Sequence, residues 1–208
     1  MRTQLNILVF LIVLLLFTHL NAQNMDNNKT KNYEIVTFGS GCFWCTEAIF
    51  NLLEGVIKAV PGYSGGTEPN PSYELVCSGE TRYAEVVQVT YDPELIPFKD
   101  LLEIFWETHD PTTLNRQGAD MGPQYRSVIF YHTQQQKEEA LYYKEQLEKE
   151  GIWKKPIVTE ISPFTKFYQA EPYHLNYYEN NPANGYCNYV ITPKVEKFKK
   201  VFSDKLTK

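Results

Sequence analysis

A β-branched and aromatic run, Tyr33-Glu34-Ile35-Val36-Thr37-Phe38, ends in Gly39-Ser40-Gly41 and opens directly into a helical pattern at Cys42. A strand that turns into a helix this abruptly commits the chain to a sheet with helices packed against it. Within the helical stretch, expected over Cys42 to Leu53, Phe43, Ala48, Ile49, Leu52 and Leu53 recur at helix-like spacing, and Gly55 suits its stop. A second strand is expected from Val56 to Tyr63, then a loop rich in Gly, Pro and Ser from Ser64 to Gly79. From Arg82 to Tyr91 the pattern alternates. Glu85, Val87, Val89 and Tyr91 share one face, and Ala84, Val86, Gln88 and Thr90 the other. Phe98, Leu101, Leu102, Phe105 and Trp106 make the apolar stripe of a helix between Pro97 and His109. Tyr125 to Tyr131 reads as a strand, Thr133 as the cap of a charged helix ending at Glu150, and Ile157 to Ile161 as a further short strand. Strand–helix–strand, twice over, predicts a two-layer α+β fold. Its core is expected to be a ferredoxin-like split βαβ unit with a mainly antiparallel sheet and helices on one face. From Pro163 onward an irregular C-terminal wrap is expected, ending in a helix from Pro193 to Leu206.

Ahead of this domain, Arg2 precedes an unbroken apolar run from Ile7 to Phe17, followed by Thr18-His19-Leu20-Asn21-Ala22. The run is shorter than the ~20 residues a membrane-spanning helix needs. A basic start, a short apolar core and a small residue before a polar stretch predict a signal peptide over residues 1–22, with export to the periplasm or outside the cell. An uncleaved membrane anchor is the alternative. Residues 23–32 read as a flexible lead-in, and 33–208 as a single catalytic domain. The net charge of −5 gives no reason to expect nucleic acid or an anionic membrane as partner.

Four cysteines remain to be explained: Cys42, Cys45, Cys77 and Cys187. In an exported protein two structural disulfides are the ordinary reading. A domain of this size does not need staples, and Cys42 and Cys45 lie too close together to be independent ones. Cys42 stands where backbone N–H groups have no partner inside the helix, and these groups with the helix dipole are expected to lower its thiol pKa. Gly39 and Gly41 are expected to let a substrate approach the backbone.

The surrounding residues, Gly41-Cys42-Phe43-Trp44-Cys45-Thr46-Glu47, resemble the G-C-F-W signature of the type A peptide methionine sulfoxide reductases. The resemblance continues through Pro61-Gly62-Tyr63-Ser64-Gly65-Gly66, Asn70-Pro71-Ser72-Tyr73, Val76-Cys77-Ser78-Gly79 and Ala84-Glu85-Val86-Val87. It extends through His109-Asp110-Pro111-Thr112, Gln117-Gly118-Ala119-Asp120, Gln124-Tyr125-Arg126-Ser127, the block from Tyr168 to His174, and Gly185-Tyr186-Cys187. Ordered blocks thus cover the whole expected mature chain. The resemblance implies reduction of methionine S-sulfoxide in oxidised proteins or peptides, with no cofactor and no metal. Cys42 would attack the sulfoxide sulfur and be left as a sulfenic acid.

The resemblance also implies roles for other residues. Glu85, on the same strand face as Val87 and Val89, is the expected acid, with burial raising its pKa. Phe43 and Trp44 would form an apolar pocket for the sulfoxide methyl group. Tyr73 and Tyr125 would hydrogen-bond the sulfoxide oxygen, and Asp120 would stand near the substrate. His174 is read as structural support. Cys187, in a flexible polar stretch, would swing to Cys42 as the resolving thiol, giving a disulfide that a thioredoxin-like donor reduces. Cys45 departs from many relatives, which carry Gly there, and offers a second resolving route across one helical turn. Cys77 reads as a buried small residue. The protein is expected to be a monomer.

Three other readings compete. Cys42-Phe43-Trp44-Cys45 is formally a C-x-x-C motif, so a thioredoxin-like oxidoreductase would lose activity on Cys45→Ser, whereas near-normal sulfoxide reduction is expected of the reductase. A zinc-stabilised binding module could use Cys42, Cys45, Cys187 and His174, although a single C-x-x-C is weak support. A disulfide-stapled interaction domain would need its bridges to fold.

Overall fold

The alternating strands assemble into one sheet. In this computed structural model, which describes residues 31–207, β1 (Glu34–Ser40) leads into helix α1 (Phe43–Phe50), and β2 (Val56–Ser64) follows. A short helix α2 (Tyr73–Cys77) precedes β3 (Ala84–Tyr91) and helix α3 (Phe98–Glu107). A small hairpin, β4 (Arg116–Gln117) and β5 (Asp120–Met121), leads to β6 (Ser127–Tyr131), helix α4 (Gln134–Glu150) and β7 (Glu160–Pro163). The C-terminal part contains β8 (Phe167–Gln169), the short helix α5 (Tyr177–Asn180), a π-helical turn over Cys187–Ile191, and helix α6 (Thr192–Val201).

The six-stranded sheet has the order β7-β6-β1-β3-β2-β8. All its pairings are antiparallel except β6 with β7. The fold is mixed α+β with a mainly antiparallel sheet. Period-two alternation divides the sheet residues into two faces. Val36, Phe38, Val87, Val89 and Ile129 belong to the main core with Ile49 and Phe50 of α1, Leu101, Leu102 and Phe105 of α3, and Ala140 of α4. Phe38 sits at its centre, its ring 5.3 Å from that of Phe50 and 5.0 Å from that of Phe105. On the other face Ala84, Val86, Val128 and Phe130 are covered by Phe164 and Phe167. Glu85 alternates with Ala84 and Val86 and so falls on the helix face, beneath α1.

Several boundaries differ from expectation for local reasons. The loop before Gly79 contains α2, whose Ser72 cap accepts a hydrogen bond from Leu75 N at 3.3 Å. The C-terminal wrap contributes β8, which pairs Gly62 with Gln169 and extends the sheet edge. The strand expected at Ile157 starts instead at Glu160, because Ile157 is buried as a core plug and Val158 N donates to Pro111 O. The final helix stops at Val201. Its tail turns back, with Thr207 N donating to Leu52 O and the Lys205 ammonium 2.8 Å from Asp100 Oδ2. The expected signal peptide and most of the lead-in lie outside the described residues. Among those described, no helix is long and apolar enough to cross a membrane.

Candidate active site

Cys42 is the N-cap of α1, reached from β1 through Ser40 and Gly41. Gly41 has φ +94°, and a Cβ there would lie 2.6 Å from the Gln117 side chain; one on Gly39 would lie 2.7 Å from Val128 Cγ1. These glycines are therefore occupied by packing within the protein, and the expectation that they admit a substrate is corrected. The turn permits close packing and the positive φ that puts Cys42 at the helix start.

Glu85 is buried directly beneath this turn, and its Oε2 accepts a hydrogen bond from Phe43 N at 3.1 Å. Burial pushes its carboxyl up to about 8 against that bond, with Asp120 and Cys45 adding to the rise. A carboxyl held protonated near neutral pH can donate a proton. Burial, then the Cys45 side chain and the Glu85 carboxyl, hold the Cys42 thiol well above its ordinary range, while the Tyr186 hydroxyl opposes them. The helix start does not by itself lower the thiol, as the sequence had suggested. The Cys45 thiol is brought down to about 7, first by its hydrogen bond with Cys42, against burial and with help from Lys194. One negative charge can thus be held between two hydrogen-bonded sulfurs, next to a protonated carboxyl.

Aromatic rings enclose this centre. Phe43 is buried, with its ring 4.9 Å from His174 and 6.2 Å from Tyr73. Trp44 is half-buried and stacks on Tyr177 at 3.7 Å. Its Nε1 donates to His174 Nδ1 at 3.0 Å. That bond fixes the neutral His174 ring with its proton on Nε2, 3.8 Å from Glu171 Oε2; burial, opposed by Glu171, lowers the His174 pKa. Glu171 accepts from Tyr73 N and from the Tyr63 hydroxyl, both at 2.8 Å, and so fixes the start of α2. Tyr125 faces Glu85, Cys77, Cys42 and Asp120, and burial raises its hydroxyl pKa. Asp120 Oδ2 accepts from the Tyr186 hydroxyl at 2.6 Å, and that hydroxyl also borders Cys42 and Cys45.

A family model described as peptide methionine sulfoxide reductase matches residues 34–206. The chain belongs to that family. It is 55% identical over 173 residues to peptide methionine sulfoxide reductase MsrA of Deinococcus radiodurans, covering 83% of this chain and 84% of the relative. Among solved structures it is similar to reduced Mxr1 from Saccharomyces cerevisiae, with TM-score 0.70 and 37% identity over 76% of this chain and 91% of that one. It is also similar to Mxr1 from the same yeast in complex with Trx2, with TM-score 0.50 and 27% identity over 72% of this chain and 87% of that one.

In this reductase the predicted residues Cys42, Phe43, Trp44, Tyr73, Glu85, Asp120 and Tyr125 converge on one region, with His174 behind the rings. Cys77 and Cys187 are placed differently from expectation. Cys77 is half-buried beside the site, its Sγ 4.0 Å from Glu85 Oε1 and bordered by the Tyr73 and Tyr125 hydroxyls. Cys187 is fully buried and opens the π-helical turn, where its N donates to Asn184 Oδ1 at 3.3 Å. It is not on a free surface stretch, because Ile191 and Val195 carry this segment into the main core. All four cysteines are free thiols. Tyr186 was assigned no role from sequence; a tyrosine flanking a reactive cysteine, whose hydroxyl needs a partner once buried, was the available signal.

Glu47 is a further buried carboxyl, on α1 next to this region. Its Oε1 accepts from Asn176 N at 2.8 Å, and burial raises its pKa to about 7 against bonds from the Asn176 and Tyr177 amides. It anchors the turn that stacks Tyr177 on Trp44. Glu47→Ala removes the acceptor for these part-buried amides and is expected to cost ~1 kcal/mol of stability. Urea unfolding of both proteins measures this, and an unchanged midpoint would count against the anchor.

Proposed function

We propose that this chain reduces the S epimer of methionine sulfoxide in oxidised proteins and peptides to methionine, with Cys42 as nucleophile and Glu85 as acid. The carrying observation is the buried Glu85 carboxyl, up at about 8, beneath the helix start that carries Cys42. A proton shift between the two sulfurs leaves Cys42 as the thiolate and Cys45 as the thiol. The thiolate attacks the sulfoxide sulfur while the Glu85 proton moves to the sulfoxide oxygen. Oxygen ends on Cys42 as a sulfenic acid, and methionine leaves as a thioether. The substrate sulfur gains two electrons and the cysteine sulfur loses two.

Phe43 and Trp44 form the pocket for the methyl group, a role supported by their place in the aromatic cluster. Tyr73 and Tyr125 hold the sulfoxide oxygen, supported by their both lying near Glu85 and Cys77. Asp120, held by Tyr186, faces the polar part of the substrate. Cys187 carries the resolving disulfide to a thioredoxin-like donor; the solved complex of yeast Mxr1 with Trx2 supports that class of reductant. A single catalytic domain over 33–208, a monomeric state and export through the N-terminal apolar run belong to the same proposal. So does the ferredoxin-like description of the core, supported by the order β6-β1-β3-β2 of its four main strands.

An assay with dithiothreitol and each methionine sulfoxide epimer tests the reading. The S epimer is expected to be converted to methionine and the R epimer left intact. Consumption of neither, or of the R epimer alone, would overturn it.

A further inference from the structure

Lys194 has no part in the oxygen-transfer step, yet it points into the cysteine cluster. It lies near the start of α6, and its Nζ is 3.8 Å from Cys45 Sγ. Among the described residues no carboxylate stands within ion-pair distance of it. Cys45 itself is only 3% exposed. A buried thiolate needs a compensating charge or hydrogen bonds, and these are at hand. Cys42 on α1 and the Tyr186 hydroxyl hydrogen-bond to Cys45 and Lys194 attracts its charge; Asp120 on β5 opposes it, and the Cys45 charge in turn acts on Glu85 and Cys187. His109, which also faces Lys194, is held down to about 4 mainly by burial and is neutral at pH 7.

We propose that Lys194 is a positioning residue for recycling: its ammonium holds Cys45 as the thiolate that attacks the Cys42 sulfenic acid, before Cys187 takes the disulfide onward. The inference rests on the reductase reading and assigns the order of events within it. The Cys45 thiolate bonds to the Cys42 sulfur, the S–O bond breaks, and hydroxide leaves with one proton as water. The Cys187 thiol, its proton passing to Cys42, then displaces Cys42 from Cys45. The result is a Cys45–Cys187 disulfide and a regenerated Cys42 thiol. An external dithiol reduces that disulfide by two electrons.

Geometry supports the sequence of steps. Cys45 N donates to Cys42 O at 3.1 Å, so the two thiols occupy one helical turn in the C-x-x-C spacing known to bridge at helix starts. Cys187 lies on the π-helical turn that leads directly into α6 and Lys194. Burial, with the charge on Cys45, pushes the Cys187 thiol up, so Cys187 stays protonated until Cys45 has reacted.

The test follows sulfenic acid decay by trapping with dimedone, in the full chain after a single turnover on the S epimer without reductant. The unaltered protein is expected to decay with a midpoint near pH 7, set by Cys45. In Lys194→Met the midpoint moves part of the way toward about 8.5, the ordinary thiol value, because the hydrogen bonds from Cys42 and Tyr186 remain. At pH 7 the smaller thiolate fraction outweighs its greater nucleophilicity, and decay slows by up to about threefold; above pH 9 the variant becomes the faster by up to about fivefold. Lys194→Arg retains the parental profile. A profile in Lys194→Met that is unshifted, or slowed equally at every pH, overturns the proposal, since damage to folding alone produces no crossover. A first turnover that yields no methionine in the unaltered protein would overturn the reductase reading, and this inference with it. Normal methionine release with an unshifted decay overturns this inference alone.

Discussion

A Cys42→Ser protein is expected to release no methionine from the S epimer, whether dithiothreitol or thioredoxin is the reductant. The serine hydroxyl is not ionised in this pH range, and its oxygen cannot take on another oxygen and later return it as a thiol can. The substitution removes little volume at a position that is 7% exposed and donates no side-chain cap bond. The fold should therefore survive, with stability within ~1 kcal/mol of the parent. Methionine release measured by chromatography, alongside a melting curve, separates loss of chemistry from loss of structure. Residual S-epimer reduction by a folded Cys42→Ser protein would place the nucleophile elsewhere. Cys45→Ser should behave differently: the first methionine is still released, and dithiothreitol still sustains turnover. With thioredoxin as the sole reductant, turnover falls.

Glu85→Gln carries the second large effect. Glutamine keeps the oxygen that accepts the Phe43 N–H but has no acidic proton to give, so methionine formation in the first turnover should slow by about 10²–10⁴-fold. The unaltered reaction needs a thiolate in the cysteine pair and a proton on Glu85. Its rate should rise as the pair ionises near pH 7 and fall as Glu85 ionises near pH 8. Glu85→Gln should lose the falling limb. Quenched-flow measurement of methionine across pH 5.5–9.5 tests both the size and the shape. A rate within threefold of the parent, or a surviving alkaline limb, would remove Glu85 from the acid role.

Stability should move the other way in the same variant. The folded-state pKa of Glu85, about 8, lies above the ordinary value of 4.5. Between those values the folded protein keeps a proton that the unfolded chain has lost, so stability declines as pH rises through that window. Glutamine has no such dependence. Glu85→Gln should melt higher than the parent, with the gap widening from about pH 4.5 to about pH 8 and constant above it.

Much of the framework could be read from the chain. The alternation of Ala84 to Tyr91 put Glu85 on the same face as Val87 and Val89, and that face carries the main core. The run from Tyr33 into Gly39-Ser40-Gly41 gave the strand and the turn, and Thr133 capped its helix as expected, accepting from Gln136 N at 3.1 Å. Short elements were less legible. Three residues are too few to show a period, so β8 emerges only through its pairing with β2. Asp120 and Tyr186 are 66 positions apart, and no local pattern records their 2.6 Å hydrogen bond.

The strand-to-helix turn and the alternating face of β3 were fixed by local periodicity, which acts over a few residues and is written in the sequence itself. Protonation states were not. The state of Cys42 depends on its burial, on the Cys45 thiol and on the Glu85 carboxyl of a distant strand, and Lys194 reaches Cys45 from the far end of the chain. Desolvation and charge are properties of a neighbourhood assembled from distant segments, so only the tertiary structure decides which sulfur holds the proton.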